Sequence, residues 1–161
     1  MINKRTLLLA TTAVYLALTG CASMSGPATI TDTAAKTPQL STLNKLIADA
    51  GLAETLRAGG PYTVFAPSDE AFKAVPAKTM EGLQKDPEQL KAVLLYHVVP
   101  GKVASADIRD GKTKTAQGAD LAVARTAGLV TVDDALVTQA DVPASNGVVH
   151  VIDRVLIPPK R

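Results

Sequence analysis

The spacing of apolar residues changes its period part way along this chain of 161 residues. Leu40, Leu43, Leu46 and Ile47 recur every three or four positions, which is the spacing of one face of an α-helix. From Lys112 onward the apolar residues form short β-branched runs instead, which predicts strands at 120–124, 129–132, 136–138, 148–152 and 155–157. Helices in one half and strands in the other are typical of an α+β domain, and not of alternating βαβ units.

One stretch predicts a strand, a sharp stop and a new helix in succession. Residues 62–66 are rich in β-branched and aromatic side chains, and Pro67 ends the run. Ser68 is a favourable N-cap for a helix that starts at the next residue. Asp69 and Glu70 would then lie in the first turn, where acids interact well with the positive end of the helix dipole.

A later helix is marked by its capping residues. Asp86 stands before Pro87 and three positions before Gln89, which is the pattern of a capping box with Asp as the N-cap and Pro at the first helical position. His97 falls seven residues after Leu90 on the apolar stripe of this helix. We therefore expect the His97 imidazole at or just beyond the buried edge.

The first twenty residues are typical of an export signal. Lys4 and Arg5 precede an apolar run over residues 7–18, which is too short to cross a bilayer that needs about 20 residues. The run ends in Leu18-Thr19-Gly20-Cys21, which resembles the lipobox of bacterial lipoprotein precursors. That resemblance implies cleavage before Cys21 and acylation of this residue, which would then anchor the protein in a membrane through several acyl chains.

The lipobox resemblance divides the chain into three parts. Residues 1–20 are predicted to be a lipoprotein signal peptide, residues 21–38 a lipidated flexible tether, and residues 39–159 one globular domain. The tether prediction depends on the composition of residues 22–38, which are rich in Ala, Ser, Thr, Gly and Pro. Ala22 and Ser23 follow Cys21 where an inner-membrane retention signal would place Asp, so the resemblance favours an outer-membrane destination if the cell has two membranes.

Charge and cysteine content limit the class of protein. The chain has 17 Lys and Arg residues, two of them in the leader, against 15 Asp and Glu, so the mature chain has no net side-chain charge. Without a basic cluster, it lacks the electrostatic pattern of a nucleic-acid-binding protein. Cys21 is the only cysteine, so no intramolecular disulfide can form and the fold depends on packing.

Three stretches taken together resemble the fasciclin (FAS1) domain. They are residues 63–72 (TVFAPSDEAF), 96–101 (YHVVPG) and 146–153 (NGVVHVID), and the resemblance spans about residues 40–158. It implies a wedge-shaped β-sandwich with helices packed along one side, and a non-catalytic role in adhesion or binding. The residues that would build this architecture are Thr63, Phe65, Pro67, Ser68, Asp69, Phe72, Asn146, Gly147 and His150.

The same resemblance implies two binding regions. Tyr96 and His97 match the family's tyrosine-histidine pair, which is implicated in adhesion together with its aliphatic neighbours. Asp141 and Val142 stand where animal fasciclin domains carry an Asp-Ile pair that resembles an integrin-binding determinant, although Val replaces Ile here. The lipobox indicates a bacterial protein, which argues against integrin as its natural partner. The simpler interpretation of an exposed Asp before an apolar residue is a loop.

Both histidines have a structural interpretation beside the functional one. His97 would be a buried residue hydrogen-bonded to a carbonyl or a carboxylate, and Tyr96 a packing ring with a hydroxyl partner. His150 lies among Val and Ile residues on a predicted strand. A buried neutral imidazole resists protonation, so we expect acid to weaken the fold through His150.

Enzyme, nucleotide and metal sites find little support in the residues. Gly111-Lys112-Thr113 lacks the earlier glycine of a phosphate-binding loop, and no Gly-x-Ser-x-Gly nucleophile elbow is present. Two histidines 53 positions apart do not make a zinc site, and Asp133-Asp134 reads as a hairpin turn and not as a calcium ligand pair. We expect no catalytic residue, no metal ion and no cofactor.

Three functional classes follow, in order of preference. The first is a non-catalytic binding module on the bacterial envelope that contacts an unknown surface protein or polysaccharide. The second is a periplasmic carrier or sensor of a small apolar ligand, since some fasciclin-like proteins bind hydrophobic pigments. The third is a serine hydrolase. The sequence leaves the ligand, the oligomeric state and the exposed membrane face undetermined.

Overall fold

Helices predominate in the first half of the described chain, where one strand is the exception, and strands occupy most of the second half. The computed structural model describes residues 28–159. Helices α1 to α6 are Ile30–Lys36, Ser41–Asp49, Ala53–Ala58, Asp69–Lys73, Ala77–Lys85 and Pro87–Tyr96, with a 3-10 turn at Pro38–Leu40. Strands β1 to β7 are Tyr62–Pro67, Val98–Pro100, Gly111–Lys114, Asp120–Thr126, Leu129–Val132, Ala135–Ala144 and Gly147–Ile152.

The predicted signal peptide, Cys21 and the start of the predicted tether lie outside the described residues. Within residues 28–159, none of the helices combines the length and the apolar character that crossing a membrane requires.

The seven strands of this part of the chain form one sheet in the order β2-β1-β7-β6-β5-β4-β3. β1 and β7 are parallel, and the other neighbouring pairs are antiparallel. The sheet curls until its two edges approach, and there the Ala116 N–H donates to the Val98 carbonyl at 2.7 Å. The layers of the predicted sandwich are thus two halves of a single, nearly closed sheet, and the predicted α+β class is confirmed.

Two apolar cores lie on opposite faces of β1 and β7. On one face, Val64 and Val149 pack against the helices in what we call the helix core. On the other face, Phe65 and Ile152 pack against Val132 of the facing half of the sheet in the inter-layer core. All six residues of β7 are buried because both of its faces are covered.

The predicted strand, stop and helix are confirmed, and one of their residues has a further role. The Ser68 hydroxyl accepts the Ala71 N–H at 3.2 Å and caps α4. Asp69 accepts the Ser41 hydroxyl at 2.7 Å and the Thr42 N–H at 2.8 Å, so it caps α2 from another helix. Burial alone would raise the pKa of Asp69, but these bonds outweigh it and the pKa lies below its usual value.

Asn146 joins three elements immediately before β7. Its Oδ1 accepts the Ile30 N–H at 2.9 Å, and its Nδ2 donates to the carbonyls of Leu56 and Gly59. Its own carbonyl accepts the Tyr62 N–H at 3.0 Å. The start of α1, the end of α3 and the start of β1 therefore meet at one residue.

Gly147 is required by the close approach of two strands. A Cβ at this position would overlap the Tyr62 carbonyl and would lie 2.9 Å from the Ile30 side chain. Only glycine lets β1 and β7 pair along their full length with α1 packed across them.

The tether prediction is wrong for residues 30–36, which form α1. Thr29 and Asp32 form a capping box, with the Asp32 carboxylate accepting the Thr29 N–H at 3.1 Å. Ile30 is 1% exposed and belongs to the helix core. The small polar residues of this stretch have the composition of a linker, but a local cap and one buried isoleucine order them as a helix.

His97 ends α6 and is 2% exposed, which confirms the prediction that it lies at the buried edge. Its Nε2 accepts the Leu156 N–H at 3.0 Å, so the ring proton resides on Nδ1 and is donated to the Val93 carbonyl at 2.7 Å. Burial lowers the pKa of His97 to about 4, although the bond to Val93 opposes this shift. The predicted strand at 155–157 is wrong, because the Leu156 N–H pairs with this imidazole and not with a strand.

The expected loop around Asp141 is also wrong, because β6 runs through it. β6 shifts its register against β7 twice, between Val137 and Gln139 and again between Gln139 and Val142. Asp141 adopts a positive φ of 57° within this irregular region. The strand is bent by bulges at the place where the sequence indicated its end.

We expect Asn146→Ala to lower the free energy of unfolding by about 2 to 3 kcal/mol, because it removes three side-chain hydrogen bonds of about 1 kcal/mol each. Urea denaturation at pH 7 measures this loss. The control is Ser145→Ala at the exposed neighbouring position, for which we expect a change within about 0.5 kcal/mol. Equal losses in the two variants would contradict the role of the Asn146 side chain.

We expect acid to weaken the fold through His97. The pKa of His97 is about 4 in the folded state and 6.5 without burial, so the unfolded state binds a proton first as the pH falls. The stabilisation is complete above pH 6.5 and declines toward pH 4, by about 3 kcal/mol in total at 1.4 kcal/mol per pKa unit. Urea denaturation at several pH values measures the decline.

A glutamine variant tests the contribution of His97 to this decline. His97→Gln should be less stable at pH 7 and should show a smaller decline between pH 6.5 and 4.5. A decline as large as that of the unmodified protein would contradict the assignment.

Candidate functional site

The 101–110 segment joins β2 to β3 and is clasped by side chains from the sheet. The Thr63 hydroxyl donates to the Gly101 carbonyl at 2.7 Å and accepts the Val103 N–H at 2.8 Å. The His150 Nε2 lies 3.0 Å from the Val103 carbonyl. Two residues that the sequence assigns to the architecture, from β1 and β7, therefore hold this segment in place.

Asp141 provides the third attachment. One carboxylate oxygen accepts the Ser105 N–H at 2.8 Å and the other accepts the Ser105 hydroxyl. The Asp141 N–H donates to His150 Nδ1 at 3.1 Å, which leaves the ring proton on Nε2 for the bond to Val103. The hydroxyl of Ser105 is the main reason why the pKa of Asp141 lies below its usual value. Asp141 is thus engaged within the domain.

A cavity of about 350 Å³ lies beneath the 101–110 segment. Its apolar wall consists of side chains from β1, β2, β4 and the segment itself, namely Phe65, Val99, Val103, Ile108 and Val123. Four of these five residues are members of the inter-layer core, and Val103 packs against it. The cavity is therefore an unfilled end of that core, and its volume falls within the range of small-molecule pockets.

Charged residues surround the mouth of the cavity, namely Asp107, Arg109, Asp110 and Lys112. Asp110 accepts the Arg125 N–H at 2.7 Å. The four ion pairs formed within residues 28–159 do not include Arg109 or Lys112. The mouth thus presents two exposed cations beside a wall that is apolar.

Tyr96 lies in the inter-layer core and is 2% exposed. Its hydroxyl donates to the Asp133 carboxylate at 2.9 Å. Burial first, and then the nearby Asp133, raise the pKa of Tyr96 to about 12. Asp133 also accepts the Ala122 N–H at 3.0 Å and lies in the tight connection between β5 and β6, which confirms the predicted hairpin turn. Tyr96 thus fastens α6 to that turn.

The predicted binding residues do not converge on one site. Tyr96 and His97 contact the turn after β5 and the C-terminal segment, whereas Asp141 contacts the 101–110 segment. Val142 is half-buried and pairs with Val149. The sequence analysis missed Ser105, whose partner Asp141 is 36 positions away, because a single serine in a polar loop carries no distinguishing pattern.

The described residues offer little for catalysis. Both imidazoles are hydrogen-bonded to main-chain groups, and the Ser68 hydroxyl caps α4. No cluster of three or more His, Asp or Glu side chains within residues 28–159 is suited to hold a metal ion. The arrangement provides a hydrogen-bonded scaffold with an apolar cavity at the end of the inter-layer core.

Comparisons with known proteins agree with this architecture. A model of the fasciclin domain matches residues 38–158. The Synechocystis protein sll1483 is 45% identical over 133 residues, which cover 81% of this chain and 74% of that protein. The cell surface glycolipoprotein MPB83 of Mycobacterium bovis is 40% identical over 148 residues, or 88% of this chain and 66% of that protein.

Two animal proteins extend the comparison. The transforming growth factor-beta-induced protein ig-h3 of Sus scrofa is 43% identical over 122 residues, which cover 75% of this chain and 18% of that protein. The solved FAS1 domain pair of the insect cell adhesion molecule fasciclin I has a TM-score of 0.61 at 24% identity, over 73% of this chain and 45% of that one. The fold, the motifs and the match over residues 38–158 together show that this chain belongs to the fasciclin domain family.

Proposed function

We propose that this chain is an exported, non-catalytic binding module that contributes to adhesion at the surface of a bacterial cell. The observation that carries the proposal is its membership of the fasciclin family, whose relatives here include a cell surface glycolipoprotein and an insect cell adhesion molecule. The internal bonds of Ser68, His97 and His150 agree with a non-catalytic role. The partner would be a surface protein or polysaccharide.

Anchoring follows from the lipobox at residues 18–21. Acyl chains on Cys21 would hold the mature protein in the envelope, and its second and third residues favour the outer membrane in a cell with two membranes. Two or more chains are needed, because a single one binds a bilayer only marginally. With α1 beginning at Ile30, the tether between the lipid and the folded domain is shorter than composition indicated.

The two predicted binding regions would contribute in different ways. Tyr96 and His97 are buried, so they would act by shaping the surface above them and not by direct contact. Asp141 is exposed but bonded to Ser105, and Val142 is half-buried beside it. A partner that docks at the bulge of β6 would therefore meet a carboxylate whose geometry is already set.

The cavity beneath the 101–110 segment favours a second function, the retention of a small apolar ligand. This function is compatible with anchoring in the envelope. Native mass spectrometry of protein taken from its own cells distinguishes the two functions, because a carrier yields a stoichiometric apolar adduct and a pure adhesion module does not.

We expect Cys21→Ser to abolish lipidation and to reduce the attachment of the cells that express the protein. The precursor should no longer partition into the detergent phase, and the strain should attach less to surfaces and form less biofilm. Ser23→Ala is the matched control, since it changes a small polar residue two positions away and leaves the lipobox intact.

Two results would contradict these expectations separately. A Cys21→Ser precursor that still enters the detergent phase and still loses residues 1–20 would overturn the lipobox assignment. A lipidation defect with unchanged attachment would support the lipobox assignment and remove the support for adhesion. Protease digestion of intact cells shows in addition whether the domain is exposed, as adhesion requires.

A further inference from the structure

We propose that the cavity beneath the 101–110 segment is a binding site for a small amphiphile that has an apolar body and a single anionic end. The proposal rests on the second function named above and specifies its site and its class of ligand. The apolar body would occupy the end of the inter-layer core, and the anionic end would lie at Arg109 and Lys112.

The interior of the cavity favours a ligand with an apolar body. Its wall is formed by aliphatic and aromatic side chains that are continuous with the inter-layer core. Two threonines, Thr63 and Thr113, also line the cavity, and the Thr63 hydroxyl already donates to Gly101 and accepts from Val103. A polar ligand atom placed against the aliphatic and aromatic side chains would lose its hydration without gaining a partner, whereas an apolar one would add contacts that the wall lacks.

The mouth of the cavity has two exposed cations that could pair with the anionic end of a ligand. Arg109 and Lys112 are exposed and belong to none of the ion pairs found within residues 28–159. Asp110 shares the mouth, but its carboxylate accepts the Arg125 N–H. Asp107 adds one more acid at the mouth. The four side chains carry no net charge, so the mouth would attract an anion only through close pairing with Arg109 and Lys112. A second negative charge would meet the two acids and would be repelled.

The roof of the cavity is already in place without a ligand. Thr63, Asp141 and His150 clasp the 101–110 segment from three strands, and the Arg125 guanidinium donates to the Ala106 carbonyl at 3.0 Å. A wall that is ordered before binding costs little conformational entropy when the ligand enters. The clasp thus gives the bonds of Thr63, Asp141 and His150 a role in shaping this site.

The test compares decanoate with decanol, which share an apolar chain and differ in charge. The protein is the full mature chain, residues 21–161, carrying Cys21→Ser so that no detergent is needed. Calorimetric titration measures affinity, and the methyl resonances of Val99, Ile108 and Val123 report where the ligand lies. We expect one equivalent of decanoate to bind and to shift these methyl signals.

Two lysines on one strand provide a matched pair of variants. Lys112 lines the mouth, whereas Lys114 stands two residues further along the exposed edge of β3. We expect Lys112→Gln to weaken decanoate binding about two- to five-fold, the range for an exposed ion pair, and to leave decanol binding unchanged. Lys114→Gln should change neither. Val103→Phe, which fills the cavity, should abolish the binding of both ligands.

Several outcomes would overturn the proposal. One is the absence of saturable shifts at the three methyl groups. Another is equal weakening by Lys112→Gln and Lys114→Gln, which would indicate a general charge effect. If Val103→Phe does not fold, the two lysine variants and the methyl shifts still test the proposal. An apolar adduct in protein from its own cells, without decanoate binding at these methyls, would preserve the carrier function and refute this site.

Discussion

The parallel pairing of β1 with β7 is the contact on which the rest of the structure depends. It extends from Tyr62 opposite Gly147 to Pro67 opposite Ile152, and the absence of a side chain on Gly147 makes it possible. The alternating side chains of these two strands face two separate cores. Helices cover one face and the far half of the sheet covers the other, so both halves of the domain are built on this pair.

The polar residues of the three fasciclin stretches serve this architecture. Ser68 and Asp69 cap two different helices, and Asn146 joins three elements at the entry to β7. His97 pairs with the C-terminal segment, and His150 clasps the 101–110 segment. Buried polar groups are costly when unpaired, so each of these bonds stabilises the fold and also removes a side chain from direct chemistry. Within residues 28–159, the feature left for function is the apolar cavity.

Local features of the fold were predictable because their causes lie within a few residues. The caps at Ser68 and Asp86, the end of β1 at Pro67 and the turn at Asp133 all depend on neighbouring side chains. The predictions are wrong where a residue distant in sequence determines the local conformation. Residues 155–157 are apolar enough for a strand, but an imidazole 59 positions away from Leu156 takes the N–H that a strand would use. α1 looked like a linker because its order depends on burial.

The sequence by itself determined the α+β class and the family, and it predicts an export signal and a lipobox, because periodicity, capping residues and contiguous motifs are written in adjacent positions. Only the tertiary structure decided where the side chains of those motifs are engaged and that a cavity remains beneath the 101–110 segment. The clasp between Asp141 and Ser105 spans 36 positions, and the cavity wall draws on four strands and a loop. Packing of distant segments creates such a site, and no local pattern records it.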